Sequence, residues 1–201
     1  MKAIKIKKPV RSYTGEKWIT NTTNKKYLAK DFENRCGYCD DWDRYSGGYN
    51  AYHVEHFAPK ERFNHLRHTY DNLLYSCPYC NISKSDKWVG TTADECIVGN
   101  EGFIDPCTDD YYEHFTRDDF GNIRYQTPLG KYIYFELKFY LKRHSIIYNL
   151  DQLRMRRIAL KAKINEKTQR GENVNHLKKI SDMLSVVLCD YYELFLMDDE
   201  C

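Results

Sequence analysis

Two Cys-x-x-Cys knuckles constrain the fold of this chain more than any other feature: Cys36-Gly-Tyr-Cys39 and Cys77-Pro-Tyr-Cys80, separated by 37 residues. A two-residue spacer lets both thiolates of a tight turn reach one ion about 2.3 Å away, and two such turns complete a tetrahedral zinc site. A lone Cys-x-x-Cys would suit thioredoxin-like redox chemistry equally well. Two copies, each enclosing a tyrosine and neither set in a βαβ pattern, favour structural Zn2+ held by Cys36, Cys39, Cys77 and Cys80. The segments around Cys36 and Cys77 are too short to bury a core of their own, so folding here is expected to depend on the metal. The other cysteines (Cys96, Cys107, Cys189, Cys201) are scattered singly and read as core or surface thiols.

With 201 residues the chain is long enough for one domain with an appendage or for two small ones. Mean hydropathy is -0.75 and no apolar run exceeds four residues, which excludes a bilayer span and a secretory segment. The expectation is a cytoplasmic protein without membrane association, in which unpaired cysteines remain reduced. An aromatic content of 15%, including 18 tyrosines, supplies the large apolar surfaces that disordered chains lack.

Net charge is only +2, but it is unevenly spread: +6 over residues 1–90 and -4 over residues 91–201. Nine bases against the single acid Glu16 in residues 1–30 suggest a basic arm that draws a polyanion, or one that is merely solvated. Residues 31–90 then form the knuckle-bearing core, and the small, polar stretch from Gly90 to Asn100 suggests a boundary. Residues 91–201 read as a mainly helical covering or docking region whose acidic excess would repel a phosphate backbone. Within it, Tyr111 to Phe115 and Ile123 to Tyr125 suggest a hairpin across Gly121-Asn122. Helices are expected over Leu129–Tyr148, Asn149–Lys167 and Asn175–Met197, the last with an apolar stripe that packs on the helix before it. In the first half, Met1 to Val10 suggests an extended arm at a sheet edge. Residues 51–57 read as a strand ended by Pro59, and residues 81–88 as a helix.

Between the knuckles stand Val54-Glu-His-Phe-Ala-Pro59 and Asp71-Asn-Leu-Leu-Tyr-Ser-Cys-Pro-Tyr-Cys-Asn-Ile-Ser-Lys84. This order resembles the zinc-stabilised HNH nucleases: an acid or histidine before a histidine and a nearby proline, then Asn-Leu, then Cys-x-x-Cys-Asn and a lysine. The likeness covers residues 36–84 and implies an α+β fold, a treble-clef-like ββα-metal core with a helical C-terminal extension. It also implies a phosphodiester hydrolase acting on DNA. His56 matches the general base; its ordinary pKa near 6.5 suits proton acceptance at neutral pH. Glu55 and Asn81 match the ligands of a catalytic cation, and their oxygens suit Mg2+ or Mn2+. Asn72 matches the middle residue, whose amide would tie the loop that orients His56. His53, on the same strand face as Glu55, is a further candidate for ligand or phosphate contact. Lys84 and Lys87 are expected to hold the nucleic-acid backbone. His65 and His68 lie in a loop without acid or cysteine partners in register and read as non-catalytic.

Two departures from the commonest pattern, Glu55 in place of Asp or His and Asn81 in place of His, put the cation's identity and position in question more than the reaction type. The whole chain is also similar to HNH companions of ATPases in anti-phage systems such as Septu and some retrons, which implies an ATPase partner docked on the C-terminal helices. The alternative is a catalytically inactive treble-clef module that binds nucleic acid or a partner.

Overall fold

The computed structural model describes residues 2–14 and 21–197. Of the basic arm, residues 1 and 15–20, including Lys17, therefore lie outside the described residues. The fold is α+β, and the chain divides into two compact units, Met1–Tyr140 and Leu141–Cys201. That division falls well beyond the boundary expected near Gly90. The polar stretch after Gly90 is only a loop and a two-residue hairpin within the first unit, β4 and β5 below.

Strand β1 (Lys2–Ala3) lies at the edge of a three-stranded antiparallel sheet with β6 (Phe115–Arg117) and β7 (Ile123–Tyr125). The hairpin's first strand begins only at Phe115, because residues 110–113 coil into a 3-10 turn that carries Tyr111 into the core. Helix α1 (Asn21–Asp31) buries Leu28 and Ala29 and ends where Glu33 and Asn34 turn left-handed, φ 52° and 59°. The first knuckle follows. Cys36 N–H bonds to Asp41 O at 2.9 Å, Asp40 N–H returns to Cys36 O at 3.1 Å, and Asp40 takes φ 67°. A tight turn of this kind aims both thiols the same way.

Strands β2 (His53–His56) and β3 (Leu73–Ser76) pair antiparallel, with Glu55 opposite Leu74 and His56 opposite Leu73. Helix α2 (Pro78–Lys84) starts inside the second knuckle, earlier than residue 81. Cys77 caps it by accepting from Cys80 N–H at 3.4 Å, and Pro78 brings a φ already suited to the first turn. The knuckles meet because Gly37 N–H bonds to Tyr75 O at 2.7 Å.

Three tyrosines complete this core with their hydroxyls satisfied. Tyr52 donates to Asp41 O at 2.7 Å, Tyr75 to Asp43 at 2.8 Å and Tyr111 to Tyr38 O at 2.8 Å. Buried Arg117 ties the three-stranded sheet to the first knuckle, donating to Ile4 O at 3.1 Å and to Cys39 O and Gly121 O at 2.7 Å. Strands β4 (Ile97–Val98) and β5 (Glu101–Gly102) form a small hairpin. Gly102 is obligatory there: φ is 126° and a Cβ would lie 2.1 Å from Cys96 O. Helix α3 (Pro128–Glu136) is capped by Thr127, which accepts from Gly130 N–H at 2.9 Å. It stops at Leu137 ahead of left-handed Lys138, so it does not continue to Tyr148.

The second unit is a helical hairpin. Helix α4 (Lys142–Gln169) runs 28 residues straight through Asn149, where a new helix was expected. A capping residue cannot start a helix where the preceding turns are already hydrogen-bonded. Gly171, φ 71°, reverses the chain, and α5 (Asn175–Met197) returns along α4. Leu177, Ile180, Leu184 and Tyr191 on α5 are half-buried, whereas Met183, Val186, Val187 and Leu194 stay exposed.

Candidate active site

The thiols of Cys36, Cys39, Cys77 and Cys80 are all buried and lie within 4.8 Å of one another. Cys39 Sγ and Cys77 Sγ are 3.8 Å apart, which matches the edge of a tetrahedron with metal–sulfur bonds of about 2.3 Å. Burial raises the Cys39, Cys77 and Cys80 thiols above their ordinary pKa; burial also opposes ionisation of Cys36, but hydrogen bonds from the other three pull it well below. Four buried sulfurs at this spacing fit Zn2+ and would offer it no open position. An ion held there would staple the two turns.

Above the knuckles, the β2–β3 hairpin and α2 enclose a cleft of about 470 Å³. It is lined by His53, Glu55, His56, Lys60 and Asn81, with Glu61 and Asp86 at its margin among others. Strand β2 supplies the first three residues, and the first exposed turn of α2 after the knuckle supplies Asn81. The sequence brings them together because Cys77 and Cys80 anchor the start of α2 against β3, which is registered on β2.

His56 is buried, and its Nε2 lies 3.0 Å from the carbonyl of Arg67. A carbonyl only accepts, so Nε2 carries the proton and Nδ1 is the basic nitrogen. Desolvation pushes the ring's pKa down to about 4 despite that hydrogen bond, with Lys60 and Arg67 adding to the fall. The imidazole is therefore neutral at pH 7 and able to accept a proton.

Asn72 sits beneath the loop that leaves β2. Its Oδ1 accepts from Ala58 N–H at 2.8 Å, and its Nδ2 donates to Ala58 O at 3.0 Å. With Phe57 N–H donating to Asn72 O at 2.9 Å, these bonds extend the β2–β3 ladder by side chain and hold the backbone that carries His56.

Glu55 is buried, and burial raises its pKa to about 7, against the lowering effect of Lys84. Its Oε1 lies 2.9 Å from Lys84 Nζ without a well-aligned hydrogen bond, which leaves that oxygen incompletely satisfied. Lys84 is the clearest departure from expectation. It is 0% exposed, donates to His56 O at 3.2 Å and stacks 5.3 Å from the Phe103 ring, so it holds β2 against α2 and cannot reach a phosphate in solvent. An apolar stem with a charged tip can be read as a surface cation, but here it fills the space under a buried carboxylate. Lys87 is on the surface, yet its Nζ is matched to Glu136 at 2.6 Å.

Lys60 was missed by sequence reasoning. It lines the cleft, acts electrostatically on both Glu55 and His56, and makes no ion pair among the described residues. Its signal was local: it follows Pro59, whose carbonyl accepts from Arg62 at 3.1 Å and Phe63 at 2.9 Å, so the loop that presents Lys60 is fixed. His53 lines the cleft as an exposed residue, with its pKa lowered by desolvation and by Lys25. His65 is exposed outside the cleft lining, and His68 is half-buried. Glu55, Asn81, Glu61 and Asp86 all line the cleft, and their oxygens are the donor type that hard divalent cations take.

Residues 36–87 match the HNH endonuclease family. The chain is also similar to the Septu protein PtuB of Bacillus mycoides (strain KBAB4), 27% identical over 123 residues that cover 51% of this chain and 41% of that protein. It thus spans about two fifths of the length of the curated relative it matches. No solved structure matches it. Among the described residues no helix is long and apolar enough to cross a membrane.

Proposed function

We propose that this chain is a metal-dependent endonuclease that hydrolyses DNA phosphodiester bonds, acting as an effector of anti-phage defence together with an ATPase partner. The observation that carries the reading is the placement of His56: its Nε2 is oriented by the Arg67 carbonyl, and the ring lines a cleft shared with Glu55, Asn81 and Lys60. The likeness to a Septu protein supports the setting in defence.

In this reading His56 Nδ1 takes a proton from a water molecule as the water oxygen bonds to phosphorus. The bond to the 3'-oxygen breaks, and that oxygen gains a proton from solvent, leaving 5'-phosphate and 3'-hydroxyl ends. Asn72 keeps the imidazole in place, and Lys60 holds a non-bridging oxygen of the scissile phosphate. Mg2+ or Mn2+ held by Glu55 and Asn81 would stabilise the charge that grows on the leaving oxygen. Lys84 orients Glu55 from behind. The cleft's lining holds three carboxylates and one lysine, so an anionic substrate needs that added positive charge to enter.

His56→Ala tests this directly. It is expected to keep zinc content, circular dichroism and DNA binding while losing about two to four orders of magnitude in cleavage rate. Mild EDTA treatment should stop wild-type cleavage with the fold intact, and Mg2+ or Mn2+ should restore it. Cleavage by His56→Ala at the wild-type rate, with any required partner present, would refute the mechanism.

A further inference from the structure

The C-terminal half is acidic as a whole, but its charge is segregated. Helix α4 holds eight Lys and Arg against two acids, Asp151 and Glu166. Three cations on or just after the helix lie close to an acid and are matched. Arg154 pairs with Asp151 at 3.0 Å, Arg170 with Glu166 at 2.7 Å, and Lys167 with Glu172. The middle is different. Arg156, Arg157, Lys161 and Lys163 are all exposed and form no ion pair among the described residues.

Helical geometry sorts these four into two rails. Arg156 and Lys163 are seven residues apart, about two turns, and share one side. Arg157 and Lys161 are four apart and share another. Between the rails, on the outer side, lie exposed Met155, Ile158, Ala159 and Ala162. Like charges at i, i+4 weaken a helix, so the Arg157–Lys161 spacing does nothing for α4 itself. Arg154 shows how such a cation is satisfied on this helix, and no acid stands between Asp151 and Glu166 to do the same for these four.

We propose that the central stretch of α4, carried by Arg156 and Lys163 on one flank and Arg157 and Lys161 on the other, is a binding surface for the phosphodiester backbone of nucleic acid. This rests on the nuclease reading and gives the helical hairpin a substrate-holding role beyond any docking of a partner. The contacts are to phosphate and carry no base information, because guanidinium and ammonium groups on flexible stems neutralise the backbone without fixing a register.

The test uses the full chain in a His56→Ala background, so that binding is read without cleavage. Binding of a fluorescent 30-base-pair DNA duplex, and of one of its single strands, is measured from about 50 to 300 mM salt. One variant carries Arg156→Gln, Arg157→Gln, Lys161→Gln and Lys163→Gln. A second keeps the charge, with Arg156→Lys, Arg157→Lys, Lys161→Arg and Lys163→Arg. Zinc content and circular dichroism certify the fold of each.

The neutral variant is expected to lose roughly two to four units of the slope of log K against log salt, about 0.9 per phosphate contact on duplex. The charge-keeping variant should retain the slope. The probe with the larger loss, duplex or single strand, is the form this face holds. A slope unchanged in the neutral variant overturns the proposal. So does capture of anionic phosphatidylserine vesicles that the four neutral substitutions abolish while DNA binding persists, which would assign the face to a membrane surface. Wild type that neither binds nor cleaves either DNA contradicts the nuclease reading itself. Wild type that does both while the neutral variant binds equally well contradicts only the role of α4.

Discussion

The cysteine-centred core and the helical hairpin are stabilised by different physics. The core crowds short elements around a few irreplaceable interactions: four thiols, the Gly37–Tyr75 bond, the Asn72 bridge and the buried Lys84–Glu55 pair. Its strands are two to four residues long and could not persist alone. The hairpin spreads its stability over many weak contacts along two long helices, and α5 has no fully buried residue. Precision is concentrated where chemistry requires a fixed geometry. The hairpin accepts exposure and unmatched charge because nothing in it has to be placed to within a fraction of an ångström.

The contrast can be broken most directly at the metal. Cys39→Ser should yield protein without zinc and without cooperative unfolding of the core, as read by elemental analysis and thermal melts, because a structural ion's binding energy is also folding energy. Well-folded wild type that contained no zinc would remove the basis of the comparison. A smaller effect is expected from Leu74→Ala in β3. This residue is fully buried opposite Glu55, so urea unfolding should show a loss of about 2–5 kcal/mol.

Leu184→Ala, at a half-buried position of α5, should cost only about 1 kcal/mol, below the range for a sealed leucine. Equal losses at Leu74 and Leu184 would show that the hairpin is packed as tightly as the core. Glu193→Lys, on the exposed face of α5, should leave cleavage unchanged and shift stability by less than about 0.5 kcal/mol. Loss of activity there, with fold and partner binding intact, would mean that the acidic helix takes part in the chemistry.

The candidate site was legible in outline because its residues come in short blocks with fixed internal spacing. Glu55 and His56 are neighbours on one strand, and Asn81 follows Cys80 directly, so placing the knuckles placed the cleft's walls. Lys84 was misread because a lysine three residues beyond Asn81 is as easily a surface cation as a buried one. Only its position behind β2, against a residue 29 positions earlier, turns it inward. Lys60 was passed over because a lysine in a polar loop carries no periodic signal. The helix boundary at Asn149 failed for a related reason: a good capping side chain loses to a helix already under way from Lys142.

What the sequence determined by itself was local chemistry: turns that pair thiols, a strand carrying an acid beside a histidine, an asparagine able to donate and accept at once. These depend on neighbours within a few residues, so they survive without knowledge of the rest of the chain. Tertiary structure decided which charges meet. Lys84 is spent on Glu55 and Lys87 on Glu136, and Lys60 is left facing the cleft. Coulombic pairing depends on distance through space and on burial, and neither is written in the order of residues along the chain.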